Sequence, residues 1–156
     1  LAVKCGKTIK TGDPQLITSY FEQKTTNQNN VFAFPKPQLG PGDWMQGPSP
    51  VGQISPQFFM DSGGLSDDEA LYRFILIIKS NLGVKDDKAL NKIIKDWKIK
   101  VIVENKSANK WLDSFNVEAV LIRPDRYVYG LASKLENIYD VLEHFDQSMK
   151  KFKPTV

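Results

Sequence analysis

The stretch RFILIIKS, residues 73–80, constrains the fold more than any other part of this chain. It is a continuous apolar run of strand length, without the alternation of apolar and polar residues that marks a strand with one face in water. Such a strand needs cover on both faces, which a sheet carrying helices on each side supplies. The run therefore predicts a central strand in an α/β domain.

Strand and helix patterns alternate after this run, and we expect parallel pairing between strands that a helix separates, followed by one antiparallel hairpin. The predicted elements are a helix over 86–97, a strand over 100–104, a short helix over 109–115, strands over 118–123 and 126–132, and a long final helix with one apolar side. This βαβαββα order is that of a thioredoxin-like fold. We therefore predict an α/β, thioredoxin-like domain over residues 65–156.

The preceding segment, residues 31–64, is rich in proline and glycine, which excludes a long helix and a central strand. It also carries many aromatic side chains, which a flexible linker would avoid. We expect an ordered, irregular connector that packs against a partner, within a separate region formed by residues 1–64. The aromatic residues assigned to a docking surface are Trp44, Phe58, Phe59 and Trp111.

Composition argues against several classes of function. The net charge is only +3, with both signs interspersed, so we expect a solvated surface and no nucleic-acid partner. No apolar stretch approaches the roughly 20 residues of a membrane span, and no signal peptide is recognised. Cys5 is the only cysteine, which excludes an internal disulfide and suits the cytoplasm. His144 is the only histidine, and no other ligand lies at metal spacing, so no metal site is expected.

The charged residues inside AVLIRPDRYVYG, residues 119–130, are interpreted as the corner of a hairpin. Pro124 presets φ for a turn, Asp125 can hydrogen-bond the turn backbone or Arg123, and Tyr127 lies in the returning strand of the hairpin. No histidine or cysteine is near in sequence to act as base or nucleophile, so no catalytic residue is assigned. The alternative is an anion clamp, in which Arg123 and Arg126 hold a carboxylate or a phosphate.

Disulfide exchange on a thioredoxin-like fold needs thiols at the start of the helix that follows the first strand. The corresponding segment, SNLGVKDD at residues 80–87, contains no cysteine. The predicted domain is therefore redox-inactive. This is compatible with a thioredoxin-like fold, since the same fold can carry unrelated functions.

The stretch LIRPDRYVYG, preceded by WLDSF, resembles the end of the C-terminal domain of FAD-dependent aromatic hydroxylases. SPVGQISPQFFM, residues 49–60, is similar to the segment that leads into that domain, and the likeness covers roughly residues 31–152. The resemblance implies FAD and NAD(P)H as cofactors of a parent enzyme, and a thioredoxin-like appendage associated with stability and subunit packing. No cofactor is expected in this chain itself, because it lacks the glycine-rich dinucleotide loop. Many family members have Gly where this chain has Arg126, so we expect a negative φ there.

Two hypotheses follow from these observations. In the first, the chain is a C-terminal fragment of such a hydroxylase, inactive alone, whose partners are the missing N-terminal flavin domain and a second copy in a homodimer. The first residue, Leu1, suits a fragment because it is not Met. In the second, the chain is a free-standing thioredoxin-like module that binds a protein or peptide without redox activity.

Overall fold

The computed structural model describes residues 37–40, 42–80 and 87–152. The chain divides into two compact units, Leu1–Lys36 and Pro37–Val156, and all described residues belong to the second. Cys5 and the first part of the predicted connector therefore lie outside the described residues. The sequence predicts a boundary at residue 64; in the structure, residues 37–40 and 42–64 belong to the same compact unit as the sheet.

The described residues form a sheet of four strands with helices between them. In chain order the elements are α1 (Ser66–Ala70), β1 (Ile75–Ile78), α2 (Lys88–Asp96), β2 (Lys100–Val103), α3 (Lys106–Ser114), β3 (Ala119–Ile122), β4 (Val128–Ala132), a 3-10 turn (Leu135–Asn137) and α4 (Ile138–Lys150). From β1 onward this is the predicted βαβαββα order, and the fold is α/β and thioredoxin-like. None of these helices is both long and apolar enough to cross a membrane.

The strands lie in the order β2-β1-β3-β4. β1 pairs with β2 in parallel, as expected, and β3 and β4 form the expected antiparallel hairpin. The expectation of parallel pairing is wrong for β3, which runs antiparallel to β1. Alternation of strands and helices shows that a helix separates β2 from β3, but a helix lying on a sheet can deliver the chain to either end of the next strand.

Both faces of the sheet are covered, as the apolar run of β1 requires. All four residues of β1 are buried, and so are all four of β3. Successive side chains of a strand point to opposite faces, so each central strand contributes to two cores. One core joins Leu76 and Ile78 to Leu90 of α2 and to Leu142 and Phe145 of α4; the other joins Ile75 and Ile77 to Ala108 and Leu112 of α3 and to Phe58.

Asn105 connects the second of these cores to the connector. Its side-chain oxygen accepts the N–H of Ala108 at 2.9 Å and so caps α3, while its amide nitrogen donates to the carbonyl of Phe59 at 2.9 Å. Asn105 is only 3% exposed, so both ends of its amide are satisfied away from water. This one side chain holds the end of the connector beside the start of a helix.

We expect Phe145→Ala to lower the free energy of unfolding by about 3–5 kcal/mol, the usual effect of emptying a buried aromatic site. The Phe145 ring is fully buried and packs against Phe74, Trp97 and Tyr129, with ring centroids 4.6, 5.7 and 5.6 Å away. Phe152→Ala is the matched control, because Phe152 is 65% exposed just past the same helix. Urea denaturation measures both variants; equal losses would contradict this assignment of the core.

Candidate functional site

The turn between β3 and β4 is the hairpin corner predicted from the sequence. The N–H of Arg126 donates to the carbonyl of Arg123 at 2.9 Å, and the N–H of Arg123 donates to the carbonyl of Tyr127 at 2.8 Å. The Arg123 guanidinium also donates two hydrogen bonds to Asp125, Nε to Oδ1 at 3.1 Å and Nη2 to Oδ2 at 2.8 Å. Because this ion pair is partly exposed, it shapes the turn more than it stabilises the fold.

Arg126 corrects one expectation from the sequence, because its φ is +70°. The position therefore has the left-handed backbone that favours glycine, although the side chain is an arginine. A tight hairpin turn is commonly closed by one left-handed residue next to a bulge, and the β3–β4 register shifts between Leu121 and Ile122. The geometry of the turn thus decides the backbone conformation, whichever residue is present.

Two hydrogen bonds to Ser55 hold Arg126 in this conformation. Arg126 Nη2 donates to the Ser55 carbonyl at 2.7 Å, and the Ser55 N–H donates to the Arg126 carbonyl at 2.8 Å. Ser55 is 2% exposed. The turn is therefore fastened to a buried point of the connector, 71 residues earlier in the chain.

The connector continues this contact along the outer edge of β4. The N–H of Gly52 donates to the Val128 carbonyl at 2.9 Å, and the N–H of Val128 donates to the Gln53 carbonyl at 2.9 Å. An uncovered edge strand is prone to pair with other chains, and this segment covers it. Segments 49–60 and 123–128, which carry the family resemblance, are therefore two parts of one contact.

The four aromatic residues predicted as a docking surface do not form one surface. Phe58 is 1% exposed and packs against the half-buried Trp111 at 5.6 Å, and Trp44 lies half-buried with the Arg123 guanidinium 5.9 Å from its ring. Only Phe59 is largely exposed, at 72%. Phe58 and Phe59 are adjacent in extended chain, so one side chain enters the core and the other faces water. Among the residues that the structure describes, the large exposed hydrophobic ones are Ile54, Phe59, Leu71, Tyr72, Tyr139 and Phe152.

A groove of about 510 Å³ lies on the Trp44 side of the turn, with Phe74, Tyr129 and Met149 among its lining residues. The Tyr129 hydroxyl lies 2.8 Å from Nδ1 of His144. Burial raises the pKa of Tyr129 above its ordinary value, although a hydrogen bond with Ser148 acts in the opposite direction. Among residues 37–40, 42–80 and 87–152, no group of three His, Cys, Asp or Glu side chains could hold a metal ion.

The adjacent glycines Gly63 and Gly64 do not fit the pyrophosphate of FAD. A dinucleotide cradle places free backbone N–H groups at the start of a helix. Here the N–H of Gly63 donates to the Met60 carbonyl at 2.9 Å, and the following helix α1 has only five residues. Its first turn carries Asp67, Asp68 and Glu69, whose charges would repel a phosphate. No catalytic step through a flavin is assigned to these residues.

Arg73 is a site residue that sequence analysis missed. It lines a cavity of about 330 Å³ on the α1 side of the turn, together with Arg123 and Arg126. The two arginines of the turn were named as a possible anion clamp, but Arg73 lies 50 positions earlier than the first of them. Only its residue type could have suggested the link, since the chain contains three arginines in all.

Solved structures of other proteins contain a fold similar to that of this chain. No protein-family profile and no curated protein sequence matches the chain. It is similar to RebC-10x with bound 7-carboxy-K252c at 13% identity and a TM-score of 0.53, over 86% of this chain and 27% of that one. It matches OxyS anhydrotetracycline hydroxylase from Streptomyces rimosus at 20% identity and a TM-score of 0.42, over 64% of this chain and 22% of that one. The chain thus spans less than a third of either protein, and the likeness to RebC-10x is one of fold.

Backbone strain at Arg126 is tested by comparing Arg126→Ala with Arg126→Gly. Both variants lose the guanidinium and its bond to Ser55, but only glycine accepts a positive φ without steric conflict. We expect Arg126→Gly to be more stable than Arg126→Ala by about 1 kcal/mol in urea denaturation. A more stable alanine variant would show that this turn does not need a left-handed residue.

The raised pKa of Tyr129 predicts a loss of stability in alkali. Below about pH 10, where an unperturbed tyrosine ionises, Tyr129 is neutral in both the folded and the unfolded chain. Its ionisation therefore does not affect stability in that range. From about that pH upward, unfolding is favoured until the folded group also ionises. We expect urea midpoints of Tyr129→Phe to fall less than wild-type midpoints between pH 9 and 11.5. Tyr139→Phe is the control and should follow the wild type; identical curves for all three would contradict the assignment.

Proposed function

We propose that this chain is the C-terminal region of a flavin-dependent aromatic-ring monooxygenase similar to 3-(3-hydroxyphenyl)propionate hydroxylase, and that it is not catalytic by itself. The observation that carries the proposal is the contact between the connector and the hairpin turn. The two sequence segments that resemble the family lie some 70 residues apart, yet they meet at Ser55 and Arg126. A resemblance that covers both sides of one contact reflects a shared structural unit better than either short segment alone.

The fold supports the same proposal. The chain shares the fold of RebC-10x, and the matching part makes up 27% of RebC-10x. RebC-10x is therefore more than three times as long as the part that matches. RebC is a rebeccamycin biosynthetic enzyme that has been solved with reduced flavin. A thioredoxin-like region within a longer flavin enzyme is therefore a reasonable setting for this chain.

The proposed role of the chain is to stabilise its parent enzyme in the cytoplasm and to pack against the N-terminal flavin domain or a second subunit. FAD and NAD(P)H would bind to the N-terminal part of the parent. In the described chain, Ile54 and Phe59 keep 42% and 72% of their surfaces exposed on the connector that leads into the domain. Apolar side chains exposed on such a segment suit contact with the rest of a larger protein.

The test is to express this chain alone and, in parallel, the complete reading frame that contains it. We expect the chain alone to be colourless near 450 nm and to leave NAD(P)H unoxidised when a phenol is added. The complete product should be yellow, should bind FAD and should oxidise NAD(P)H faster when its phenolic substrate is present. A yellow preparation of the chain alone would contradict the assignment of the flavin to the missing part.

The same reading frame decides between this proposal and a free-standing binding module. The proposed function requires several hundred codons upstream of Leu1, including a glycine-rich dinucleotide loop. A reading frame that starts at or near Leu1 would refute it and would favour the module. This observation needs no purified protein.

A further inference from the structure

Arginine is used in one place only among the described residues of this chain. The sequence contains eighteen lysines and three arginines, and Arg73, Arg123 and Arg126 all line the cavity of about 330 Å³ beside α1. None of the described residues that line this cavity is a lysine. A guanidinium presents a planar fork of donors that matches a carboxylate or phosphate, whereas an ammonium acts as a point charge. The distribution therefore points to a need for guanidinium groups at this cavity.

Two of the three guanidinium groups have hydrogen bonds only to neutral oxygen atoms. Arg73 Nε donates to the Ala70 carbonyl at 2.8 Å, and its Nη2 donates to the Glu69 carbonyl at 2.9 Å. Arg126 Nη2 donates to the Ser55 carbonyl. Arg123 differs, because its two hydrogen bonds to Asp125 match its charge. Arg73 therefore donates only to carbonyl oxygens, and Arg126 has only a long ion pair with Asp67.

Arg126 has a buried donor without an acceptor. Its Nε is shielded from water and has no hydrogen-bond partner, and it forms only a long ion pair with Asp67 Oδ2, 3.8 Å away. Asp67 Oδ2 is engaged by Gln57 Nε2 at 2.7 Å, and Asp68 Oδ2 accepts the N–H of Leu65 at 3.1 Å. The long ion pair leaves Arg126 Nε without a hydrogen bond, and because this nitrogen is shielded, a ligand in the cavity would bind the guanidinium through its terminal nitrogens.

The rim of the cavity is apolar and its backbone is strained. Leu71 and Tyr72 both have positive φ, at +49° and +61°, although neither is glycine. Their side chains are 69% and 91% exposed, and both line the cavity. Leu71 is the left-handed C-cap of α1, a common helix ending. The second left-handed residue, Tyr72, adds a steric cost of a kind that is often stored at functional sites.

We propose that this cavity binds a small organic carboxylate, whose oxygens are held by Arg73 and Arg126 and whose apolar part contacts Leu71 and Tyr72. A monoanion is favoured over phosphate because Asp67 and Asp68 also line the cavity and would repel a second negative charge more strongly. The volume lies at the lower end of the range for small-molecule sites, which suits a ligand with one ring. This site is independent of the proposed flavin enzyme, since no contact with a flavin domain enters the argument.

The probe is benzoate, titrated into the ¹⁵N-labelled chain and followed by NMR. Only three arginines exist, so their side-chain Nε–H signals are few and can be assigned by single substitutions. We expect the Arg73 and Arg126 signals to shift in a saturable manner. Benzyl alcohol, which has the ring without the charge, and sodium chloride at equal concentration should leave these signals unchanged. Unshifted arginine signals with benzoate would overturn the proposal.

Matched variants separate this site from general attraction to a basic protein. Arg73→Gln and Arg126→Gly each remove one guanidinium, and we expect each to weaken benzoate binding at least tenfold. Lys134→Gln is the control, because Lys134 is 74% exposed and does not line the cavity; its affinity should equal the wild type. Affinity unchanged in both arginine variants, or phosphate binding the same signals more tightly than benzoate, would refute the carboxylate site.

The outcome remains informative if one variant is poorly folded. Dispersed backbone signals report folding in the same spectra, and Arg126→Gly removes the steric conflict at a positive φ rather than adding one. Should Arg73→Gln unfold, Arg126→Gly and the wild-type titration still decide the matter. If the protein expressed from the complete reading frame contained no flavin, the proposed function would be refuted. The result of the benzoate titration would not be affected.

Discussion

Burial of β1 on both faces is the constraint on which the rest of the domain depends. Its four apolar residues need two layers of cover, and each layer is supplied by a different set of helices. Because β1 also pairs with β2 on one side and β3 on the other, it has no edge in contact with water. The two cores, the sheet order and the positions of α2, α3 and α4 all follow from enclosing this strand.

The opposite problem arises at β4, which is an edge strand. The connector resolves it by hydrogen bonding to Val128 and Arg126 through Gly52, Gln53 and Ser55. A proline-rich segment suits this position, since proline lacks the N–H that a further strand would need for pairing. The same contact fastens the hairpin turn, so one segment protects the edge and also shapes the candidate site.

The turn lies between two cavities with different chemistry. On one side, Trp44, Phe74 and Tyr129 line an apolar groove. On the other side, α1 contributes carboxylates and the segment after α1 contributes Arg73. Arg123 lines both cavities, but its charge is matched by Asp125. On the α1 side, Arg73 donates only to carbonyl oxygens and Arg126 has only a long ion pair with Asp67, which is why anion binding is proposed there and not in the groove.

Much of the fold could be predicted from local patterns. The apolar run at 73–80, the helical spacing at 86–97 and the Arg-Pro-Asp turn each describe a structure formed by neighbours in sequence, and all three are confirmed. The direction of β3 and the burial of Phe58 were predicted wrongly. The direction of β3 depends on the end of the strand at which the preceding helix delivers the chain, and the burial of Phe58 depends on which side of the connector faces the sheet. Periodicity reports neither.

The sequence by itself determined which segments form strands and helices, because hydrophobic period and turn chemistry act over a few residues. It also determined that no pair of thiols is present. Only the tertiary structure decided that Arg126 adopts a positive φ and that Arg73 joins the two arginines of the turn. The geometry of the β3–β4 turn sets the φ of Arg126, and Ser55, 71 residues earlier, holds it there. Arg73 reaches the turn from 50 residues earlier, and such long-range contacts are set by the packing of layers rather than by local preference.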